Sequence, residues 1–540
     1  MPSMFSFNRS EISFKNTHAF DDLIVNYIEE NSFFNDFYAF EASPAGIRQV
    51  ISSYQNSRLQ RQNVKDIISK QYSLADITQI HVKVQENVGL LSQDNSFTVT
   101  TGHQLNIFSG PLYVFFKIIS AINLSNTLNE KHPDHHFIPV FWMATEDHDI
   151  EEITSINLFG KSFLWDTEWK GIAGQMPLTG IEQFLETVEK TFGSAEYSSE
   201  LVSIIKKSYR NSKTLAEATR KWINEFFGQY GLVILDGNER LLKEQFKDVM
   251  IDELFNQSSK KLVSKTSEDF NKKYYSQAKP REINLFYIGE GFRERIVREN
   301  NLFKILNTDL IFTDDEMKIE INNFPERFSP NVILRPLFQE CILPNIAYVG
   351  GPAEIAYWLE LKSLFEYHKI PMPVLFLRSC AMILEDHITS KMEKLNIKSE
   401  DLFINTDELI RKHLVNDDDH LSFHESVDVI SSEFKKISKK VEDVDSTLIA
   451  SVEAEFQKTQ SSIKMIEDKL IRSLKKKNET EINQLKKLKE KLFPNGNLQE
   501  REDTMIPYFL KWGRTFIEGL TENMNPLKKE FVILTEKKSD

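Results

Sequence analysis

The chain has 540 residues, 41% of them hydrophobic and 27% charged, which is more than one domain of globular, soluble protein. A net charge of −14 and a pI of about 5.5 argue against nucleic acid or an anionic membrane as partner. No apolar run approaches the ~20 residues of a membrane span, MPSMFSFNRSEI has no secretory pattern, and Cys341 and Cys380 fit a reducing cytoplasm as buried small hydrophobes without a disulfide framework.

Residues 1–95 read as mostly helical, with apolar residues at helical spacing over Phe20–Glu30, Ala45–Ser57 and Val64–Gln85. Aromatics between Phe33 and Phe40 are expected to pack against a sheet. Phe97–Thr101 is a β-branched run that reads as a buried strand. It leads into a loop, Gly102-His103-Gln104, and then Ser109-Gly110-Pro111. Pro111 suits a helix start, because its missing N–H costs nothing in the first turn. The helix that follows carries Leu112, Phe115, Phe116, Ile119, Ile122 and Leu124 on a broad apolar face. A second strand, Phe137–Ala144, ends in Thr145-Glu146-Asp147-His148-Asp149. Strand, helix and strand form one βαβ unit with parallel strands. Ligands bind at the carboxyl ends of such strands, where both polar loops lie.

Residues 160–230 read as a polar insertion with helices, including Ala216–Phe227. Gly231–Gly237 is another strand and Glu239–Phe255 a helix. Further strands are expected over Ile283–Gly289, Asn331–Leu337, Ile346–Gly350 and Pro373–Leu377, with a helix over Ala353–Glu366. The alternation predicts an α/β, doubly wound parallel sheet. From Ile383 to Leu492 glycine and proline leave the interior. Phe434, Ile437, Val441, Val444 and Leu448 step by three and four, as do Ile463, Ile466, Leu470 and Leu474, then Ile482, Leu485 and Leu492. This predicts a long helical hairpin or coiled coil that breaks within Asn405–Ser426. Pro494-Asn-Gly496 ends it, and Tyr508, Phe509, Trp512 and Phe516 bring the chain back to the core.

His148, flanked by Glu146, Asp147 and Asp149, has its charged form favoured by the acids and suits a general acid or a metal ligand. Asp149, Glu151 and Glu152 also suit the first turn of a helix. No two-histidine spacing supports zinc, and no metal site is assigned. The segment from Gly102 to Pro111 opens a helix N-terminus and suits phosphate or carboxylate; a tight capped turn is the alternative. No P-loop and no G-x-G-x-x-G after a strand is present. Arg335 and Gln339 fall near strand ends, where Arg335 is either a bidentate carboxylate binder or half of a structural ion pair. Gly289–Arg295 reads as a solvated helix start, with cleft cations as the alternative. Lys261–Lys265 has the wrong spacing for the lysine-serine-lysine signature of class I aminoacyl-tRNA synthetases.

TGHQLNIFSGPLYVFFKIISAI, PVFWMATEDHDIEEI, REINLFYIGEGFRERI, SPNVILRPLFQECILPNIAYVGGPAEIAYWLELK and LFPNGNLQER occur in this order. Together they resemble the bacillithiol-biosynthesis cysteine-adding enzymes, over essentially the whole chain. The resemblance implies an α/β fold with a Rossmann-like doubly wound core, helical insertions and a long antiparallel coiled-coil domain. It divides the chain into a helical part (1–95), a first βαβ (96–160), a connecting-peptide-like insertion (161–230), the rest of the core with a second insertion (231–382), the coiled coil (383–493) and a C-terminal return (494–540). It implies a cytoplasmic homodimer, joined through the coiled coil, that adds L-cysteine to the amino group of glucosaminyl-malate to give bacillithiol. The family is similar to class I synthetase-type cysteine ligases, which activate a carboxylate as an acyl adenylate. The two-histidine H-x-G-H signature of those enzymes is absent, with only His103 in the corresponding loop, so ATP with Mg²⁺ is one candidate energy donor.

On this reading His103, Gln104, Ser109 and Gly110 face the activated carboxylate or a phosphate. Asp147 and His148, with Glu146 and Asp149 beside them, hold or deprotonate an amine. Arg335 takes the malate carboxylates, Gln339 and Glu354 orient sugar hydroxyls, and Gly350 and Gly351, at a strand end before a helix, count among the substrate- or nucleotide-binding residues. A metal-dependent hydrolase using Glu146–Asp149 is the alternative.

Overall fold

The computed structural model describes residues 6–54, 59–75, 77, 80–415 and 423–537. They form two compact units. The first holds the chain as far as Lys15, Phe20–Met382 and everything from Glu500 on; the second holds Asn16–Ala19 and Ile383–Gln499.

A parallel five-stranded sheet organises the first unit. Its strands are β1 (Ser96–Gln104), β2 (His136–Ala144), β3 (Val233–Asp236), β4 (Asn345–Gly350) and β5 (Val374–Leu377). The spatial order is β5-β4-β1-β2-β3, and every neighbouring pair is parallel. The chain steps outward from β1 through β2 to β3, then returns with β4 on the other side of β1. The switch point between β1 and β4 is where a doubly wound sheet opens its ligand crevice. β1 and β2 are buried along nearly their whole length, as strands covered on both faces must be. Pro139 is tolerated within β2 because β3 begins only opposite Val140. The edge of β3 is covered by α1 (Arg61–Leu74): Tyr72 Oη accepts from Ile234 N, and the Gln71 amide both accepts from and donates to the Asp236 backbone.

The helix after β1, α2 (Tyr113–Lys131), packs into this core through Phe115, Phe116, Ile118, Ile119 and Ile122. Before it, Phe108, Ser109 and Gly110 all have positive φ (51°, 69° and 64°). The sharp turn lets the chain leave β1 and re-enter as a helix at Tyr113, so Pro111 precedes the helix and does not start it.

Several expectations are corrected. β1 runs on through Gly102-His103-Gln104, which reads as loop from sequence. Asn331–Leu337 is not a strand. Asn331 Oδ1 accepts from the Ile333 and Leu334 amides and starts a turn into α4 (Arg335–Ile342), with Pro336 in its first turn. Leu285–Gly289 is a strand, but of a separate antiparallel sheet whose order is Ile311–Phe312, Leu302–Ile305, Phe292–Glu299, Leu285–Gly289 and Phe328–Pro330. Gly289–Arg295 is therefore a hairpin, with Gly291 at φ 73° in its turn, and not a helix start. The Glu239–Phe255 helix breaks at Phe246, between α3 (Arg240–Gln245) and Lys247–Asn256. The Ala353–Glu366 helix breaks after α5 (Pro352–Leu359). In the N-terminal part the longer helices are Asp22–Ile28, Pro44–Ser53, α1 and Val82–Leu90; residues 55–58, 76, 78 and 79 lie outside the described residues. Phe33, Phe34 and Phe37 pack on Phe270 and Tyr274, and only Phe40 joins the apolar cluster on the sheet.

The second unit carries α6 (His424–Glu442) and α7 (Ile449–Lys477). Phe434 meets Phe456 at 5.3 Å, which pairs the two helices as an antiparallel hairpin about the turn near Asp445. Thr406–Val415, inside the expected break, is itself a helix, and 416–422 lie outside the described residues. Its Leu409, Ile410 and Leu414 pack with Ile482 and Leu485.

Candidate functional site

Two groups of polar side chains meet the carboxyl edge of the parallel sheet. The first sits at the switch point. Lys117 lies on the apolar face of α2 and is 1% exposed. Its ammonium donates to Gly102 O at the end of β1 and, at 2.7 Å, to Glu354 Oε2 in the first turn of α5. Glu354 also accepts from Gly351 N (2.8 Å) and from Tyr348 Oη (2.6 Å). Burial alone would raise this carboxyl; the charge and hydrogen bond of Lys117, with those of Tyr348 and Gly351, overcome it and hold Glu354 at about 2.

Arg335, the first residue of α4, donates to Gln339 Oε1 (3.2 Å) and lies 3.5 Å from both Tyr348 Oη and Tyr357 Oη. Among the described residues no carboxylate comes within ion-pair distance of it, so the structural ion-pair reading falls. The Gln339 amide is used at both ends, its Nε2 donating to Glu340 Oε1 at 2.7 Å, and the residue is fully buried. Its part is to hold Arg335.

His103 and Gln104 are half-buried at the end of β1, and neither side chain has a hydrogen-bond partner among the described residues. Burial, then the charges of Lys117 and Arg378, push the His103 imidazole down to about 3 against the pull of Glu354. His103 is neutral at any physiological pH. Tyr113 packs edge-on to it at 5.5 Å.

The second group follows β2. Glu146 pairs with the fully buried Lys243 of α3 at 2.6 Å and accepts from Ser329 Oγ. Arg293, from the hairpin, donates to Ser329 Oγ (2.9 Å) and Pro330 O (3.3 Å), stacks on Phe286 at 3.9 Å, and places Nη1 3.0 Å from His148 Nδ1. A guanidinium has only donors, so His148 Nδ1 accepts and its proton sits on Nε2. Burial first, then Arg293, lower the His148 pKa despite Asp147, Glu294 and Asp149. The charged form is thus disfavoured, the reverse of what the flanking acids suggest. Asp147 Oδ1 accepts the amides of His148 (2.7 Å) and Asp149 (3.4 Å). Asp149 precedes the helix Ile150–Thr154 without capping it.

β1 and β2 run in register, with Gln104 beside Ala144, so the two groups adjoin. Gly350 and Gly351 end β4 at the first group. Ser109 and Gly110 stand apart: no hydrogen bond links them to either group, although Ser109 Oγ is buried without a partner. Lys117, Lys243 and Arg378 are functional candidates that sequence reasoning missed; Arg293 belongs to the Gly289–Arg295 segment, whose alternative reading is cleft cations. A lysine inside VFFKIISAI or RLLKEQF was the available signal.

The model of the bacillithiol biosynthesis BshC N-terminal Rossmann-like domain matches residues 7–379, and that of the BshC C-terminal coiled-coil domain matches 381–536. The chain belongs to the BshC family. Proteins of Christiangramia forsetii and Flavobacterium johnsoniae, each named "Putative cysteine ligase BshC", are 37% and 36% identical to it; each alignment spans 97% of this chain, with 98% and 99% of the relative covered. A protein of the same name from Cytophaga hutchinsonii is 34% identical over 97% of this chain and 98% of its own. The Rossmann-like and coiled-coil domains expected from sequence are thus those of the family. Nothing in these relatives supports a metal-dependent hydrolase, and among the described residues no three His, Cys, Asp or Glu side chains converge to hold a metal. No helix among the described residues is long and apolar enough to cross a membrane.

Proposed function

We propose that this chain is a cytoplasmic cysteine ligase that joins the carboxyl carbon of L-cysteine to the amino group of glucosaminyl-malate, giving bacillithiol. The observation that carries the reading is the switch point itself. An arginine without a carboxylate partner, Arg335, and a neutral, unpartnered imidazole, His103, stand at the carboxyl edge of a Rossmann-like sheet in a chain of the BshC family.

Amide formation needs an activated carbonyl, an amine with a free lone pair and donors for the oxyanion of the tetrahedral intermediate. The amine nitrogen attacks the carbonyl carbon, the C–N bond forms, the bond to the leaving group breaks with its electron pair, and the ammonium proton leaves to a base. His103 and Gln104 supply hydrogen bonds to the acyl end, and Arg335 holds a malate carboxylate. Asp147, whose Oδ1 is taken by two amides, turns its other oxygen to the amine. His148, fixed by Arg293 with its proton on Nε2, offers a donor beside it.

ATP with Mg²⁺ is our proposed energy source, and when bound it supplies the activation of the cysteine carboxylate. His103, Gln104 and the buried, unpartnered Ser109 Oγ suit phosphate oxygens. Val429, Ile437, Met465 and Ile466 leave an exposed apolar stripe on α6 and α7, which supports a homodimer through the coiled coil. The deciding experiment is ligation with purified protein, glucosaminyl-malate and cysteine, with and without ATP and Mg²⁺, read by mass spectrometry. A product one cysteinyl residue heavier that requires ATP bears the proposal out. No such product from folded protein under any nucleotide refutes it.

A further inference from the structure

Arg378 follows β5 at the carboxyl edge, with its backbone N–H on Gly350 O at 2.9 Å. Its side chain is 3% exposed. Nη1 donates to Ser379 O (3.0 Å) and Cys380 Sγ (3.2 Å), and Nη2 to Glu500 Oε1 (2.5 Å). The guanidinium lies against the Tyr113 ring at 5.1 Å. Its Nε–H, although buried, has no partner among the described residues. A buried charged donor left unmade is more costly than a neutral one, so it marks a place where something else accepts.

The neighbouring space is open because residue 351 is glycine. A Cβ built there would lie 3.8 Å from Arg378 Nε and 3.4 Å from Glu354 Oε2. That Glu354 oxygen is already neutralised by Lys117. Glu500 is held by Arg378 and by Ala381 N (2.9 Å). Among the described residues Arg335 has no carboxylate of its own. The local balance is cationic in a chain whose net charge is −14.

We propose that the space over Gly351, lined by Arg378 Nε–H, is an anion subsite that takes one carboxylate or phosphate oxygen of a substrate. The proposal rests on the ligase reading for its place in the reaction, but not for its test. A carboxylate would come from the malate half of the acceptor or from cysteine; a phosphate would come from the energy donor. A single free N–H serves one oxygen, and the donor is fixed by the Arg378–Glu500 pair rather than by the ligand.

The test is calorimetric titration of the full chain with malate and, separately, with inorganic phosphate. Gly351→Ala fills the space without backbone strain, since residue 351 sits at φ −76° and ψ 172°. Arg378→Lys keeps the charge opposite Glu500 and removes the Nε–H. At least a tenfold loss of affinity for one anion in Gly351→Ala, with an unchanged melting temperature, is the expected result. Loss of malate alone assigns a carboxylate, and loss of phosphate alone a phosphate. Unchanged affinities in Gly351→Ala, or no binding of either anion to the wild-type chain, overturn the proposal even where ligation is intact. Anion binding that Gly351→Ala abolishes, in a protein that does not ligate, keeps the subsite and refutes the ligase.

Discussion

Replacing Lys117 by methionine isolates the ion pair beneath the switch point. Methionine keeps the apolar stem packed in α2 and removes the charge. Lys117 is 1% exposed and Glu354, as a side chain, 24%, so Glu354 becomes a largely buried carboxylate with only Tyr348 Oη and Gly351 N as donors. Breaking one side of a buried pair costs about 3–5 kcal/mol. The two surviving hydrogen bonds and the partial exposure of Glu354 put this case near about 3 kcal/mol. Adding Glu354→Gln removes the stranded charge while keeping an acceptor, so the double variant is expected to recover at least about 2 kcal/mol relative to the sum of the singles. All six tryptophans lie in the unit that carries the sheet, so urea unfolding read by tryptophan fluorescence reports on it directly. The His103 imidazole gives a second readout, because Lys117 is the larger of the two charges that lower it; in Lys117→Met its titration moves up from about 3. A cost below about 1 kcal/mol, or additive effects in the double variant, would mean that the pair contributes little across the crevice.

Glu340 is fully buried, its Oε2 has no partner, and burial pushes it up to about 8 despite the Gln339 and Asn345 amides. The unfolded chain releases this proton near 4.5 and the folded chain near about 8, so the stability it gives is present below 4.5 and is lost as pH rises to about 8. The whole effect is up to about 5 kcal/mol; the wild-type minus Glu340→Gln difference in urea stability should fall steadily across that window, and parallel curves would refute it. Arg293→Gln removes a cation that lowers His148, so the acid limb of kcat/KM for ligation is expected to move to higher pH; an unmoved limb would separate Arg293 from the chemistry. His148→Ala is expected to slow ligation about 100-fold, and full activity in that variant would remove His148 from the scheme.

The central strands were legible for two reasons: FTVT of β1 is a β-branched run, and FIPVFWMA of β2 is the unbroken apolar run of a strand covered on both faces. The hairpin at Gly289–Arg295 was not, because FRERI alternates charged residues with only two apolar ones, and a strand with one polar face resembles a solvated helix start. α4 was hidden by Val332-Ile-Leu334, an apolar run that reads as a strand until the Asn331 side chain is seen to turn the backbone. Within the site, the acids and glycines at strand ends were visible from local pattern. Lys117 and Arg378 were not. Lys117 meets Glu354 across 237 residues of chain and Arg378 meets Glu500 across 122, and no local spacing encodes such a pair.

A chain of net charge −14 makes a poor partner for an anionic substrate only if its charge acts as a whole. At physiological ionic strength exposed charges are screened beyond about 8 Å, whereas buried ones are screened far less. What an anion meets at the switch point is therefore the local set: Lys117, Arg335 and Arg378 against Glu354 and Glu500. Each carboxylate already belongs to one cation, which leaves the Arg335 charge and the Arg378 Nε–H for the ligand. Burial, helped by the charges of Lys117 and Arg378, keeps His103 neutral, so the imidazole contributes a lone pair and an N–H, and not charge. In the proposed ligase, charge recognition and hydrogen-bond chemistry would thus fall to different residues: the arginines of α4 and the end of β5 to attract the anion, and the uncharged end of β1 to handle the acyl group without competing for it.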